Sequence, residues 1–372
     1  MLRLVIVLAA LTLAGCAHNL PVREPANTAA DPGLIRAFVD VNGSFFPPDW
    51  RAKEVVGERA VRRRHSLLAA LDGRPDQVAA LRRFEAAYLA QLADAAAERT
   101  GRVYVLVLGF NNDEKTAAAQ FVAMRGEIAL SPQDTVIEFY WDGHDAKAYL
   151  DAARIWFWGS ASSQVVGSRA LRRILDRLGD REVIVVSYSR GASVVLSALS
   201  NPDYTEAFTE ATRLPFLGEP VESFLAPPPL SARGGPIKAV MLAPAVGRSD
   251  FWAPGSTDRS WRYRDFSDRL VSVRYTLNPR DEVLNKFWLG VRGRLNPTDL
   301  GADPQVGAEL RCRHPRLVGY RVEGRVGHGG ADYIRDPSYA RMLAESGVPV
   351  RRPPPPPPPG HRLTDCRPPA PG

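Results

Sequence analysis

The chain has 372 residues, 45% of them hydrophobic, which is enough to bury one large core. Its formal charge of +7 comes from basic side chains scattered along the whole length, not from a basic block interleaved with aromatics, so a nucleic-acid surface is not expected. The 3 cysteines and 6 histidines form no C-x-x-C or His/Cys cluster, so neither a metal site nor a cofactor is expected.

The N-terminus reads as a targeting segment. Arg3 precedes an apolar run from Leu4 to Leu13, too short to span a bilayer and suited to the core of a signal peptide over residues 1–15. The run ends in Leu13-Ala14-Gly15-Cys16, which resembles the bacterial lipoprotein processing box. That resemblance implies lipidation of Cys16, with several acyl chains of the palmitate kind anchoring the mature chain firmly. Ala17, where an aspartate would signal inner-membrane retention, favours the outer membrane, facing the periplasm. An ordinary secretory signal is the alternative. Residues 16–33, rich in Pro, Asn and Ala, read as a tether.

Residues 34–100 read as an N-terminal helical extension packed on the domain, with Ala37–Trp50 adding an edge strand or wrapping it. The spacing of Val78, Leu81, Phe84, Tyr88, Leu89 and Leu92 predicts a helix over Gln77–Ala97, with Asp76 as its N-cap. From Val103 the period changes. Val103–Leu108, Thr135–Trp141, Val183–Val186, Ile237–Ala243, Leu270–Leu277 and Val318–Glu323 read as strands. Helices are expected over Glu114–Arg125, Ala146–Trp158, Ser160–Leu178 and Ala192–Leu199. The alternation predicts an α/β fold over 101–346, a mostly parallel central sheet with helices on both faces. Residues 201–236 and 287–315 break the alternation and read as insertions. The remainder, 347–372, reads as a tail whose run Pro353–Pro359 is expected to be a stiff polyproline II spacer outside the core. Cys312 and Cys366 could pair in an oxidising periplasm, but Cys366 lies beyond that run, and their pairing stays open.

Chemistry concentrates around VIVVSYSRGASVVLSAL, Val183 to Leu199: a strand, a sharp turn carrying Ser189, and a helix. This is the arrangement of a nucleophile elbow, with Ser187 where the first glycine of G-x-S-x-G usually stands. A serine nucleophile needs a base and an acid that orients the base, expected in the order Ser, Asp/Glu, His on loops after strands. His328, flanked by glycines after the last strand, is the candidate base; His144 and His314 are alternatives. Asp281, in the turn after Leu270–Leu277, is the candidate acid; Glu282 and Asp250 are alternatives, and a helix N-cap role for Asp281 is compatible. An oxyanion hole would take one backbone N–H from Arg190 and one from Phe110. Asn111 and Asn112 add a donor to that loop or shape its turn. Trp156, Phe157, Trp158, Phe251 and Trp252 are candidates to line an acyl pocket, or else core.

Taken together, VYVLVLGFNND, VIEFYWDG, VIVVSYSRGASVVLSAL, AVMLAPAV, YTLNPRDEVL and VGHGGADYIRDPSYARML resemble a family of largely uncharacterised bacterial α/β-hydrolases, many of them secreted or lipid-anchored. The resemblance runs from about Gly101 to Ala344. It implies the α/β-hydrolase fold, an eight-stranded type of sheet, and a triad that maps onto Ser189, Asp281 and His328. The family usually has His-Gly where this chain has Leu108-Gly109, which removes a bracing side chain but keeps the backbone donors. Two functions are therefore in view. One is a lipid-anchored serine hydrolase whose partners are a small-molecule or lipid acyl substrate and the membrane. The other is a catalytically inactive scaffold serving envelope binding or assembly, suggested by Leu108, the insertions and the tail.

Overall fold

The computed structural model describes residues 33–48, 50, 66–110, 112–143, 162–200, 228–247, 250, 265–285, 299–324 and 326–367. The signal peptide, the tether up to residue 32, the helical stretch expected at Ala146–Trp158 and most of the insertion at 201–236 lie outside these residues.

The frame is an eight-stranded sheet of order β1-β3-β2-β4-β5-β6-β7-β8. Its strands are β1 (Leu34–Val39), β2 (Val103–Val107), β3 (Thr135–Trp141), β4 (Val183–Tyr188), β5 (Ile237–Leu242), β6 (Leu270–Leu277), β7 (Leu317–Arg321) and β8 (Arg362–Leu363). Strands β1 to β7 pair in parallel, and β8 joins β7 antiparallel. Every residue of β2, β3 and β4 is buried. That is why these strands read as continuous apolar runs: in a parallel sheet both faces are covered by helices. Successive side chains serve opposite faces. Val103, Val105, Val183 and Val185 enter one core with the helices α2 (Pro75–Ala97), α4 (Arg172–Leu175), α5 (Gly191–Leu199) and α6 (Pro304–Arg313). Tyr104, Leu106, Ile184 and Val186 enter the other, beneath α3 (Glu114–Gly126), α7 (Gly330–Arg335) and α8 (Pro337–Glu345). Each such aliphatic side chain contributes about 1.5–3 kcal/mol on burial.

The edge strand expected within Ala37–Trp50 begins three residues earlier, at Leu34. Leu34–Val39 is an integral strand, in register with β3 from Leu34↔Val136 to Val39↔Trp141. After the short α1 (Leu67–Ala70) comes α2, which starts two residues before the expected boundary, with Arg74 at the N-cap and Pro75 at the first helical position. Asp76 lies in the first turn and is not the cap. A proline there has no N–H to satisfy and its φ is already helical, which lessens the need for a side-chain cap. Buried Glu85 on α2 accepts Phe45 N–H at 3.0 Å and pairs with Arg82 and Arg173, each at 3.3 Å. These bonds fix α2 to the segment after β1.

Ahead of β4, the helical residues 162–166 widen into a π turn at Gly167–Leu171 and continue as α4. The turn lies against α5 so closely that a Cβ on Gly167 would sit 2.1 Å from Val194 O. Only glycine permits that approach.

The C-terminal third departs most from expectation. The second half of the segment taken as an insertion, 299–313, holds a one-turn 3₁₀ helix at Asp299–Gly301 and α6, which is the crossover helix between β6 and β7. The tail is docked on the domain. It starts where Arg351 N–H donates to Glu127 O at 3.0 Å, passes the Arg341 guanidinium, which donates to Pro355 O at 2.6 Å, and returns as β8. Pro353–Pro359 is largely exposed, as the sequence suggests. Beyond it, His361 is buried and its carbonyl accepts Arg321 N–H at 2.8 Å. Cys366 forms a disulfide with Cys312 of α6. Backbone pairing with β7 supplies what composition could not reveal: donors and acceptors that hold a proline-rich segment in place.

The disulfide closes a sequence separation of 54 residues. Reducing it, or making Cys366→Ser, is expected to lower the unfolding free energy by about 2–5 kcal/mol. The drop is read as a lower urea midpoint with and without reductant, and equal midpoints would contradict it.

Candidate functional site

Ser189 lies between β4 and α5 with φ +53°. A non-glycine residue in this region carries roughly 1–3 kcal/mol of strain and persists only where its surroundings over-determine it. Here they do. Ser189 N–H donates to Leu242 O at 2.9 Å, and Ser189 O accepts Ala245 N–H at 3.1 Å and Ala192 N–H at 3.2 Å. Two glycines make room. A Cβ on Gly191 would meet Val107 O at 2.6 Å, and one on Gly109 would meet Ser189 Cβ at 2.8 Å and Arg190 N at 2.9 Å. The sequence departure at Ser187 lies fully buried in β4, in register with Val107 of β2 and Met241 of β5.

The structure brings three of the expected residues together. Ser189 Oγ is 3.1 Å from His328 Nε2, and His328 Nδ1 is 2.8 Å from Asp281 Oδ2. Asp281 is fully buried, while the His328 side chain is 19% exposed. Asp281 Oδ1 accepts the N–H groups of Val283 and Leu284, both at 3.0 Å, so the turn-capping role and the histidine-orienting role coexist on one carboxylate. The His328 loop is secured from two sides. Asn278 Nδ2 donates to Val326 O at 2.8 Å, and the buried Tyr188 hydroxyl donates to His328 O.

Sequence reasoning missed a fourth member. Tyr333, on α7, donates its hydroxyl to Asp281 Oδ2 at 2.7 Å. Its position five residues after His328 carried no local signal, because the contact forms only when α7 packs under the sheet. Burial pushes the Asp281 carboxyl up. The hydrogen bond and charge of His328, with the Leu284 N–H and the Tyr333 hydroxyl, outweigh that and hold it below the ordinary carboxylate range. Burial and the neighbouring Asp281 charge push the Tyr333 phenol well up, so it stays a donor.

The loop after β2 lies against the elbow. Leu108 O accepts Trp141 Nε1–H at 2.5 Å, Phe110 O accepts Asn112 Nδ2–H at 3.0 Å, and Asn112 Oδ1 accepts from Gln120 at 3.0 Å. The Phe110 and Trp141 rings pack with centroids 5.3 Å apart. Asn112 therefore shapes the turn. Bracing expected from a histidine at position 108 comes instead from Trp141, Asn112 and Gln120. Arg190 follows Ser189 directly, and its guanidinium is buried against Asp250.

The alternatives fall elsewhere. Asp250 pairs with Arg190, and Glu282 is exposed beside Asp281. His314 precedes β7 at the opposite end of the sheet, edge-on to Phe266, and burial lowers its pKa to about 4. His144, Asn111 and the aromatic candidates Trp156, Phe157, Trp158, Phe251 and Trp252 lie outside the described residues. Among the described residues, no group of three or more His, Cys, Asp or Glu side chains is placed to hold a metal ion. What the site can do chemically follows from its order: a serine hydroxyl bonded to an imidazole, itself oriented by a carboxylate, can lose its proton as it attacks an electrophile.

The sequence matches no family model and no curated protein. Among solved structures, an uncharacterised protein from Pseudomonas aeruginosa aligns at 9% identity and a TM-score of 0.29, over 70% of this chain and 48% of that one. The chain thus spans about half the length of that protein. The apo form of Thermogutta terrifontis esterase 2 aligns at 10% identity and a TM-score of 0.25, over 67% of this chain and 82% of that one. Scores this low do not establish a shared fold.

The Asp281 carboxyl, held below its unfolded value, contributes stability that is full above about pH 4 and is lost as the pH falls through its lower native value. Tyr333→Phe removes one donor, so it is expected to raise the native value, end the acid loss at a higher pH with a smaller total drop, and cost about 1.5–3 kcal/mol at neutral pH. Urea unfolding measured across pH checks this, and an unmoved acid limb would count against the role of the hydroxyl.

Proposed function

We propose that this chain is a serine hydrolase of the α/β-hydrolase type that cleaves an ester or related acyl bond. The observation that carries the proposal is the continuous path from Ser189 Oγ to His328 Nε2 and from His328 Nδ1 to Asp281 Oδ2. The chain order Ser, Asp, His and the placement of each residue after a parallel strand support it. In the proposed reaction Ser189 Oγ attacks the acyl carbon while His328 Nε2 takes its proton. Asp281 holds the imidazole and stabilises the imidazolium. The negative charge on the carbonyl oxygen is met by the peptide N–H groups of Arg190 and Phe110. His328 returns the proton to the leaving oxygen, which departs and leaves Ser189 acylated. Water then attacks the acyl group by the same route in reverse, His328 taking its proton and giving one back to Ser189.

The scaffold alternative drew on Leu108, and the bracing of that loop by Trp141 and Asn112 weakens its main support. We further propose lipid anchoring at Cys16, on the periplasmic face of the outer membrane. The processing-box sequence supports this, and so does the Cys312–Cys366 disulfide, which suits an oxidising compartment.

A fluorophosphonate probe is expected to label the wild type and not Ser189→Ala, with hydrolysis of short p-nitrophenyl esters falling by about 10⁴–10⁶ in kcat. An unlabelled wild type with no esterase activity would sink the proposal. Cys16→Ser is expected to move the protein from the membrane to the soluble envelope fraction, and unchanged membrane recovery would contradict the anchor.

A further inference from the structure

We infer that Arg190 and Asp250 form a buried clamp that positions the elbow, holding the peptide N–H of residue 190 where charge would develop on the acyl oxygen. The inference rests on the hydrolase reading above. The two side chains are 2% and 0% exposed. They meet through two parallel bonds, Arg190 Nη1 to Asp250 Oδ2 at 3.0 Å and Arg190 Nη2 to Asp250 Oδ1 at 3.1 Å. The remaining capacity is also used. Arg190 Nε–H donates to Ser163 Oγ at 2.9 Å and Nη1–H to Ala245 O at 2.9 Å. Asp250 also accepts from Ser193 Oγ at 2.5 Å, Gln164 Nε2 at 3.3 Å and Gly247 N–H at 3.0 Å.

Three features make this more than a buried ion pair. First, burying two charges costs several kcal/mol each, and apolar residues of similar volume would hold the fold as well or better, so stability alone does not account for the pair. Second, its location is specific. Ala245 donates its N–H to Ser189 O and receives Arg190 Nη1–H on its carbonyl, so main chain and side chain of the elbow grip one residue from both ends. Third, Ser189 holds φ +53°, a conformation that needs external restraint. The clamp ties the elbow to α5 through Ser193, to the loop after β5 through Ala245 and Gly247, and to the helical residues 162–166 through Ser163 and Gln164. The guanidinium touches no substrate in this scheme, so Arg190 and Asp250 act as positioning residues through the peptide between Ser189 and Arg190.

The test compares wild type, Asp250→Asn and the double variant Arg190→Met/Asp250→Leu. The double variant replaces both charges with apolar groups and is chosen to fold even where the single one does not. Active sites are counted by fluorophosphonate titration, and kcat and KM for p-nitrophenyl butyrate are taken per titrated site. The clamp predicts a fall of about 10–10² in kcat per site for either variant, with KM within about threefold and labelling slowed by the same factor, the scale expected when an oxyanion donor is misplaced. A purely structural pair would lower the folded fraction and leave kcat per site unchanged. A folded double variant with wild-type kcat per site therefore overturns the clamp while leaving the hydrolase reading intact. A wild type that neither labels nor hydrolyses overturns the hydrolase reading and, with it, the clamp.

Discussion

The positive φ of Ser189 is the constraint on which the arrangement depends. A strand buried on both faces turns within two residues into a helix that is also buried throughout. Ser189 and Arg190 are only 7% and 2% exposed, so protein groups must satisfy most of the backbone of this turn. Leu242, Ala245 and Ala192 satisfy the Ser189 peptide, and the glycines at 109 and 191 allow the neighbouring chains close enough to help. The result projects the Ser189 hydroxyl from the C-terminal edge of the sheet, where the loops after β6 and β7 bring Asp281 and His328 to it.

The same burial explains the buried arginines. Every residue of α5 is buried, so its last carbonyls cannot turn to solvent. Arg172 reaches them, donating to Ser197 O at 2.7 Å, Ala198 O at 2.9 Å and also to Ser200 O. A cation at that end also complements the helix dipole. Arg172 is in position because the π turn before it packs on α5 at Gly167. One arginine thus serves the far end of α5 and another, Arg190, serves its start. A chain of local necessities links a glycine in the π turn to the geometry of the elbow.

What could be read in the sequence follows from how local each signal is. The apolar runs of β2 and β3 are set by burial on both faces, so their limits were legible to within about a residue. Ser189, Asp281 and His328 were legible because each follows a strand and is flagged by turn residues. Asn112 was legible as a turn-shaping residue because its bond to Phe110 is local, whereas Tyr333 was assigned no role, since its bond to Asp281 depends on how α7 docks. Asp250 was considered only as an acid for the histidine. Its partner Arg190 lies 60 positions away along the chain, and nothing in the intervening composition marks the pairing. The strand at Leu34–Val39 was half legible: its residues suit a strand, but its neighbour β3 lies about a hundred residues downstream.

The tail shows why composition misled at the other edge of the sheet. Seven consecutive prolines offer no N–H, so Pro353–Pro359 cannot extend a sheet, and reading the run as outside the core was sound. The error lay in carrying that reading past the run. Left bare, β7 would end the sheet as an open parallel edge, a template for pairing with another chain. The two residues of β8 close part of that edge at Gly319 and Tyr320. So short a strand has too few ladder bonds to stay docked by itself. Further holds come from Arg311 Nε to Asp365 O at 2.8 Å, Arg367 N–H to Ala308 O at 3.1 Å, and the disulfide to Cys312, all on α6. The prolines then act as a strap that crosses α8 and delivers the edge-closing residues without offering a new edge of its own.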